Sequence, residues 1–203
     1  MIQKTTIADK AKRIILEQGG IIRTQEAIRL GIHPRTLYQL KDSGELEQLS
    51  RGVYKLRDSK PLEHPDLVTV AIRVPKGVVC LVSALSFHEM TTQVPHAVSI
   101  ALEKGAEQPR IDFPPVTVFR FSFECFSAGI ETHMLDGVPV RIYSPEKTLA
   151  DCFKFRNTIG MDVVLESLKL YQQRKQKDLN ALMDHAKTCR VASVIRPYLE
   201  ATL

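Results

Sequence analysis

Five polar side chains within seven consecutive residues are of the types that hydrogen bond to nucleic acid. An arginine donates two hydrogen bonds to a guanine, and a glutamine pairs in a similar way with an adenine. Hydroxyl and ammonium groups contact phosphates or bases. Asp42 is the only acidic residue between Gly31 and Gly44, so a polyanion would meet little repulsion here. The five side chains belong to Arg35, Thr36, Tyr38, Gln39 and Lys41.

A single helix should present these side chains. Pro34 suits its first position, because the N–H that proline lacks is not needed there. Leu37 and Leu40 share one face and should pack inward, which leaves the five polar side chains mostly exposed. His33 is a weak N-cap, since serine would be expected at that position. We therefore predict a helix from Pro34 to about Ser43.

Two helices should precede this one and support it. Apolar residues at helical spacing predict a first helix with one buried stripe, which the pair Gly19-Gly20 ends. A second helix should have Thr24 as its N-cap, Ala27 and Ile28 turned inward, and Gly31 at its end. The apolar stripe of the first helix consists of Ile7, Ala11, Ile14 and Ile15.

A short hairpin should follow the third helix. The segments 45–49 and 53–56 flank the turn Ser50-Arg51-Gly52, which is typical of two paired strands. Beside a helix-turn-helix, such a hairpin forms a wing, and Arg51 at its tip would reach a phosphate or a minor groove. The sequence therefore predicts a winged helix-turn-helix.

The charge of the chain is concentrated in this first segment. Residues 1–57 hold 11 Lys+Arg against 6 Asp+Glu, whereas residues 58–203 hold 17 against 17. The formal charge of +5 therefore belongs to the predicted winged helix-turn-helix. A cationic module attracts a polyanion through counterion release, and nucleic acid is the commonest such partner. A winged helix that serves only as a protein scaffold is the alternative.

A second domain should begin after a polar linker. The segment 57–65 carries two prolines and lacks periodicity, so we place domains at 1–57 and 66–203. Residues 66–73 should be helical and 78–82 a buried strand, after which Ser83 would cap a helix through Met90. Strands should follow at 97–102 and 116–123, the latter with Phe119, Phe121 and Phe123 on one face.

The remainder should be a hairpin and a helical end. Asp136-Gly137 is a strong hairpin signal within 130–143. Ser144 should cap the next helix, with Pro145 at its first position and Glu146 near its positive end. Further helices are expected at 161–173, 178–189 and 191–199. The predicted fold class is therefore α+β, with an N-terminal winged helix-turn-helix followed by a mixed α+β domain that ends in a helical bundle.

The four cysteines do not form a metal or disulfide motif. Their positions contain no C-x-x-C pair, so four buried reduced thiols are expected. No apolar run approaches the roughly 18 residues of a membrane span, and the start lacks the apolar core of a signal peptide. We therefore expect a cytoplasmic protein. We also expect that it has no metal, no cofactor and no catalytic residue. The cysteines are Cys80, Cys125, Cys152 and Cys189.

Three stretches together resemble the AbiEi family of abortive-infection antitoxins. They are GGIIRTQEAIRLGIHPRTLYQLKDSGELEQLSRGVYKL, CLVSALSFHEMTTQVPHAVSIAL and YSPEKTLADCFKFRNTIGMDVVLESLK, which cover nearly the whole chain in order. The first stretch alone would be weak support, because winged helices are widespread. Members of this family resemble the antitoxin half of type IV toxin-antitoxin pairs, whose toxin is a nucleotidyltransferase.

The resemblance implies two roles. The N-terminal domain would bind repeats upstream of its own operon and repress it, and the C-terminal domain would counter the toxin without needing to touch it. The protein would be a monomer or weak dimer that pairs on double-stranded DNA. The implied DNA-binding residues are Thr24, Arg35, Thr36, Tyr38, Gln39, Lys41 and Arg51. The motif residues of the second domain are Ser83, Ser144, Glu146, Lys147 and Asp151, for which capping and core formation are the expected roles.

Two other functions remain open from the sequence. A DNA-tethered nuclease would need clustered carboxylates beside a lysine, but the spacing of the acids near the strands does not favour this. His88-Glu89 and His96 lack a third metal ligand. A transcription factor that senses a small ligand in the second domain is the other alternative. The acids near the predicted strands are Asp112, Glu124, Glu131 and Asp136.

Overall fold

The computed structural model describes residues 6–201, and the chain divides into two units. The first unit runs up to Pro75 and includes Arg110–Pro114 and Met134–Pro139. The second consists of Lys76–Pro109, Pro115–His133 and Val140 onward. The first unit thus extends beyond the linker at 57–65. The finer division into domains at 1–57 and 66–203 stays a prediction.

The first unit contains the elements of a winged helix-turn-helix in the predicted order. Three helices are joined by a three-stranded antiparallel sheet with strand order β1-β3-β2. The turn between β2 and β3 is the wing. A further helix, α4, is predicted from residue 66 and starts one residue earlier, at Pro65. The elements are α1 (Ile7–Glu17), β1 (Ile21–Arg23), α2 (Thr24–Arg29), α3 (Pro34–Asp42), β2 (Leu46–Ser50), β3 (Val53–Leu56) and α4 (Pro65–Arg73).

Most, but not all, of the apolar residues predicted to face inward are buried in the core of this unit. Ala11, Ile15 and Ala27 are buried as predicted, together with both leucines of α3. Two predictions are wrong, because Ile7 is 76% exposed and Ile28 is 50% exposed. Ile7 is the first residue of α1 and lies beyond the buried part of its stripe. Ile28 belongs to a six-residue helix whose one buried residue is Ala27.

Strand β1 was not predicted from the sequence. It has three residues and pairs antiparallel with β3, for example Ile21 with Lys55 and Arg23 with Val53. A strand this short has too few residues to show alternation, and its pairing partner lies about thirty residues away in the sequence. The pairing completes the sheet that carries the wing.

Most of the second unit is built on a five-stranded sheet with order β6-β5-β4-β8-β7, of which only Met134–Pro139, at the β7–β8 turn, is assigned to the first unit. Strand β4 pairs antiparallel with β5 and parallel with β8, and β5 pairs parallel with β6. Helices follow the last strand, so the fold is mixed α+β with a helical end, as predicted. The elements are β4 (Val78–Val79), α5 (Leu81–Phe87), β5 (Val98–Glu103), β6 (Val116–Phe121), α6 (Phe123–Ser127), β7 (Ile130–Leu135), β8 (Val138–Tyr143), α7 (Pro145–Lys154), α8 (Arg156–Ile159), α9 (Met161–Gln173), α10 (Leu179–Thr188) and α11 (Ala192–Glu200).

Helix α7 lies at the centre of the second unit. Ser144 caps it as predicted, because its side chain accepts a hydrogen bond from the Lys147 N–H at 3.2 Å. Leu149, Cys152 and Phe153 are fully buried. The β7–β8 turn at Asp136-Gly137 is also confirmed, since both residues have positive φ angles, of 50° and 79°. The four cysteines are free and buried, as expected.

The strand predicted at 78–82 ends at Val79, because α5 begins at Leu81. Two residue roles predicted for the second unit are also wrong. Ser83 lies inside α5 and is not its N-cap; its hydroxyl instead accepts from the Ser99 N–H at 2.9 Å and donates to the Ala97 carbonyl at 3.3 Å. Phe123 is 65% exposed, because the strand ends at Phe121 and Phe123 starts the short helix α6. Within residues 6–201, no helix is long and apolar enough to cross a membrane.

Candidate nucleic-acid interface

His33 caps the start of helix α3, although histidine is a weak N-cap by residue type. His33 is the N-cap, and its Nδ1 accepts a hydrogen bond from the Arg35 N–H at 3.2 Å. Pro34 occupies the first turn, as predicted. Leu37 and Leu40 are 1% and 2% exposed and anchor the opposite side of the helix in the core. Helix α3 therefore starts at Pro34, as predicted, with a histidine as its cap.

Three of the five predicted side chains share the outer face of α3. Arg35, Tyr38 and Gln39 are exposed, and their i, i+3 and i+4 spacing makes them neighbours on the helix surface. We call these three residues the α3 outer face. Thr36 is 8% exposed, so its predicted exposure is wrong. It lies four residues before the buried Leu40 and therefore on the inward side.

The charge of Lys41 is partly compensated within the helix. Its ammonium lies 3.5 Å from the carboxylate of Asp42 and 6.0 Å from the centroid of the Tyr38 ring. The Lys41 side chain is 37% exposed and that of Asp42 is 71% exposed. An exposed pair of this kind contributes little stability and does not hold the lysine firmly. Lys41 therefore remains able to turn toward a phosphate.

The other carboxylate near this helix is neutralised by α1. Lys12 donates to Glu45 at 2.6 Å, and the Ser43 hydroxyl donates to the same carboxylate at 3.0 Å. These two hydrogen bonds lower the pKa of Glu45, and the bond to Glu45 raises the pKa of Lys12. The pair stays ionised at neutral pH. Glu45 consequently adds little negative potential beside the α3 outer face.

The wing brings together the two residues predicted to contact phosphates. Arg51 is exposed in the turn, while its carbonyl accepts from the Arg73 guanidinium at 2.8 Å. The Thr24 N–H donates to the Gly52 carbonyl at 2.9 Å, which places Thr24 beside the same turn. Thr24 is the first residue of α2 and Arg23 is its N-cap, so the predicted capping role of Thr24 is wrong.

No local sequence pattern predicts the contacts that hold this surface in place. Lys12 and Glu45 are 33 residues apart, and no local pattern predicts their pairing. Lys55 was not singled out, yet it is 6% exposed, and its ammonium lies 3.4 Å from the carbonyls of Leu56 and Ser59. Lys55 thus stabilises the turn that follows β3 and is not available to a phosphate.

The motif residues of the second unit have structural roles. Lys147 and Asp151 form an ion pair at 2.5 Å in which both side chains are fully buried. Glu146 accepts from the Tyr171 hydroxyl at 2.9 Å. Among residues 6–201, no three His, Cys, Asp or Glu side chains come close enough to hold a metal ion. The acids named as nuclease candidates do not form a group there: Glu131 contacts His133, and Asp136 accepts from the Glu63 N–H.

These features define the class of the first unit: it is a winged helix-turn-helix of the kind found in transcription regulators. Residues 9–56 match the family model described as "Transcriptional regulator, AbiEi antitoxin". The match confirms, over that segment, the resemblance to AbiEi antitoxins. No curated protein matches the chain.

The fold of both units has a counterpart among solved structures. The crystal structure of the RV2827C protein from Mycobacterium tuberculosis is similar, with a TM-score of 0.55 and 12% sequence identity. The alignment covers 90% of this chain and 78% of that chain. At this identity the likeness extends to the fold alone.

Proposed function

We propose that this protein represses its own toxin-antitoxin operon by binding double-stranded DNA through α3 and the wing. The observation that carries the proposal is the α3 outer face, which exposes an arginine, a tyrosine and a glutamine within the segment that matches the AbiEi regulators. The excess of 11 basic over 6 acidic residues in 1–57 supports the same partner.

The residues of this surface divide by the chemistry they offer. Arg35 and Gln39 suit guanine and adenine, and Tyr38 suits a base or a phosphate. Lys41 would contact phosphate from the end of the helix, while the partly covered Thr36 would contribute only at the edge. Thr24 and Arg51 lie together at the wing, and both would contact phosphates of one backbone segment.

Two copies would bind a pair of inverted repeats. A single winged helix contacts few base pairs, whereas two modules placed one helical turn or a multiple apart on the duplex read twice as many. The pairing would take place on the DNA, starting from a monomer or a weak dimer in solution. This arrangement makes repression steeply dependent on antitoxin concentration.

The second unit would supply the antitoxin activity against a nucleotidyltransferase toxin. The AbiEi match of the first unit supports this role, and direct contact with the toxin is not required. The buried Lys147–Asp151 pair and the capped α7 serve as its scaffold. The protein would act in the cytoplasm, as a regulator and not as an enzyme.

Three single substitutions test the DNA-binding assignment. Arg35→Ala should weaken binding to the duplex upstream of the gene by about 1–3 kcal/mol and relax base preference at one position. Arg51→Ala should weaken all duplexes alike and reduce the salt dependence of binding. Arg13→Ala is the matched control, because it also removes one arginine charge. The Arg13 side chain is exposed on α1, where its Nε lies 4.0 Å from the Glu17 carboxylate.

The outcomes separate the roles. If Arg35→Ala binds like Arg13→Ala on every duplex, α3 does not read bases. If full-length Arg35→Ala derepresses a reporter yet still protects cells that express the neighbouring toxin gene, repression and antitoxin activity are separate functions of the two units. Loss of protection by Arg35→Ala, with the protein folded and abundant, would contradict that division.

A further inference from the structure

Ile7 is an exposed apolar residue at a place where the sequence predicts a buried one. It is 76% exposed, whereas Ala11 and Ile15 on the same stripe of α1 are 3% and 0% exposed. Surface isoleucines occur singly on many proteins, so exposure alone has no functional meaning. The residues around Ile7 and the contacts that position α1 indicate a role for this side chain.

The first turn of α1 holds Ile7 in a fixed position. The Thr6 hydroxyl accepts from the Asp9 N–H at 3.1 Å, and the Asp9 carboxylate accepts from the Thr6 N–H at 3.1 Å. This reciprocal capping box stabilises the helix start. One turn further on, the Lys12–Glu45 contact at 2.6 Å fastens α1 beside the end of α3. Ile7 therefore lies in the capped first turn of a helix that is held beside α3.

Ile7 lines the same surface groove as the predicted base-reading residues. Ile7 and Ala8 contribute from α1, and Arg35 and Gln39 contribute from α3. Glu45 also lines this groove, but its charge is compensated by Lys12. The groove thus combines hydrogen-bond donors for purine edges with an apolar side chain next to them.

An apolar side chain in this setting matches one feature of the DNA major groove. Guanine and adenine present hydrogen-bonding edges there, and thymine presents a methyl group that favours apolar contact. A cytosine at the same position carries no methyl group. An isoleucine beside an arginine and a glutamine would therefore favour a thymine next to the purine that these residues read.

We propose that Ile7 is a specificity-determining residue that contacts the 5-methyl group of a thymine in the operator. The inference rests on the proposed DNA binding through α3 and adds α1 to the elements that read the sequence. It extends the recognised site by a base at the edge of the α3 contact. Ala8, beside Ile7 in the same groove, is too short to replace this contact.

Removal of single methyl groups from the DNA tests this contact. In the duplex upstream of the gene, each thymine is replaced in turn by deoxyuridine, which removes only the methyl group. Wild-type protein should lose about fourfold in affinity at one such position in each half-site, the equivalent of one buried methyl group. Ile7→Ala should bind the unmodified duplex more weakly by at least that factor and should not distinguish thymine from uracil at that position.

Two controls keep the test decisive. Leu16→Ala removes a side chain of α1 that is 61% exposed and does not line the groove, so it should retain the full uracil penalty. Ile7→Val keeps methyl groups at the branch and should retain most of the penalty. Circular dichroism should give the same helix content for all variants, because the substituted side chains are exposed.

The results distinguish this inference from the proposed function. If wild-type protein prefers the duplex but no thymine shows a penalty that Ile7→Ala abolishes, the Ile7 contact is wrong, and the proposed DNA binding through α3 is not contradicted. If wild-type protein shows no preference for the duplex at all, the proposed function fails, and the Ile7 contact fails with it.

Discussion

Replacing Asp151 by asparagine should strongly destabilise the second unit. The carboxylate forms an ion pair with Lys147 at 2.5 Å, and both side chains are fully buried. Removing one partner of a buried pair typically costs about 3–5 kcal/mol, because the other charge is left uncompensated. The Lys147 ammonium also lies 4.1 Å and 4.9 Å from the centroids of the Tyr143 and Phe121 rings, which retain part of its stabilisation. We therefore expect the lower end of this range, about 3 kcal/mol.

Removing the opposite partner should have a pH-dependent cost. Burial raises the pKa of Asp151 from its ordinary value, and the attraction of Lys147 only partly offsets this rise. In Lys147→Met that offset is lost, so the folded-state pKa rises further above the unfolded-state value. The folded protein then holds a proton that the unfolded chain releases, and stability should fall as the pH rises through this interval. Lys147→Met should consequently be less destabilised at acidic pH than at neutral pH.

Urea unfolding followed by far-ultraviolet circular dichroism measures these effects, and two controls bracket them. The double variant Lys147→Met/Asp151→Leu removes both charges and should be far more stable than Asp151→Asn, with stability near or above that of the wild type. Lys187→Ala breaks an exposed pair with Asp184 at 2.8 Å and should cost less than about 1 kcal/mol. An Asp151→Asn variant no less stable than Lys187→Ala would refute the argument from buried charge.

The remaining predictions concern a close approach and a buried histidine in the same unit. A Cβ at Gly129 would lie 2.5 Å from the Cβ of Lys147, and φ there is +65°, so Gly129→Ala should lower the free energy of unfolding by several kcal/mol, on the order of 3. Gly105→Ala also has a positive φ, of +92°, but meets open space, and equal losses in urea for both variants would exclude a steric cause. Burial lowers the pKa of His88 from its ordinary value of 6.5. As the pH falls through that value, the unfolded chain binds more protons than the folded protein, so the free energy of unfolding decreases. His88→Gln should flatten this fall between about pH 7 and pH 5; an unchanged slope in urea titrations across that range would rule out His88 as a contributor.

Elements with strong local signals could be predicted from the sequence. Ser144, Pro145 and Glu146 together marked the start of α7, and Asp136-Gly137 marked the hairpin, because capping and turn chemistry act within a few residues. Helix α3 was predicted for the same reason, since a proline at its start and two leucines at helical spacing are local features. Its bounds differ from the prediction by one residue at the C-terminal end.

Elements that depend on distant partners could not be predicted. Strand β1 has three residues and is defined by its pairing with β3. Helices α6 and α8 have five and four residues, too few to show helical periodicity. Ser83 has the residue type of an N-cap, but it bonds to strand β5, which is sixteen residues further along the chain.

The candidate interface was predicted in its residue types and less well in its geometry. The exposure of Arg35, Tyr38 and Gln39 followed from the helical spacing of the leucines. Thr36 was misplaced because a helix face has no sharp edge, and a residue beside the buried stripe can face either way. The exposure of Ile7 was missed because periodicity tells which face of a helix is apolar but not where along its length the core ends.

A competition binding assay shows whether α3 and the wing recognise a specific duplex. Purified protein is titrated into a labelled duplex from upstream of its own gene, at several salt concentrations and with excess unrelated duplex. We predict an affinity that exceeds that for unrelated DNA by a factor of about a thousand or more and that weakens as salt increases. Equal affinity for both duplexes at every salt concentration, or no binding, would show that α3 and the wing do not recognise a specific sequence.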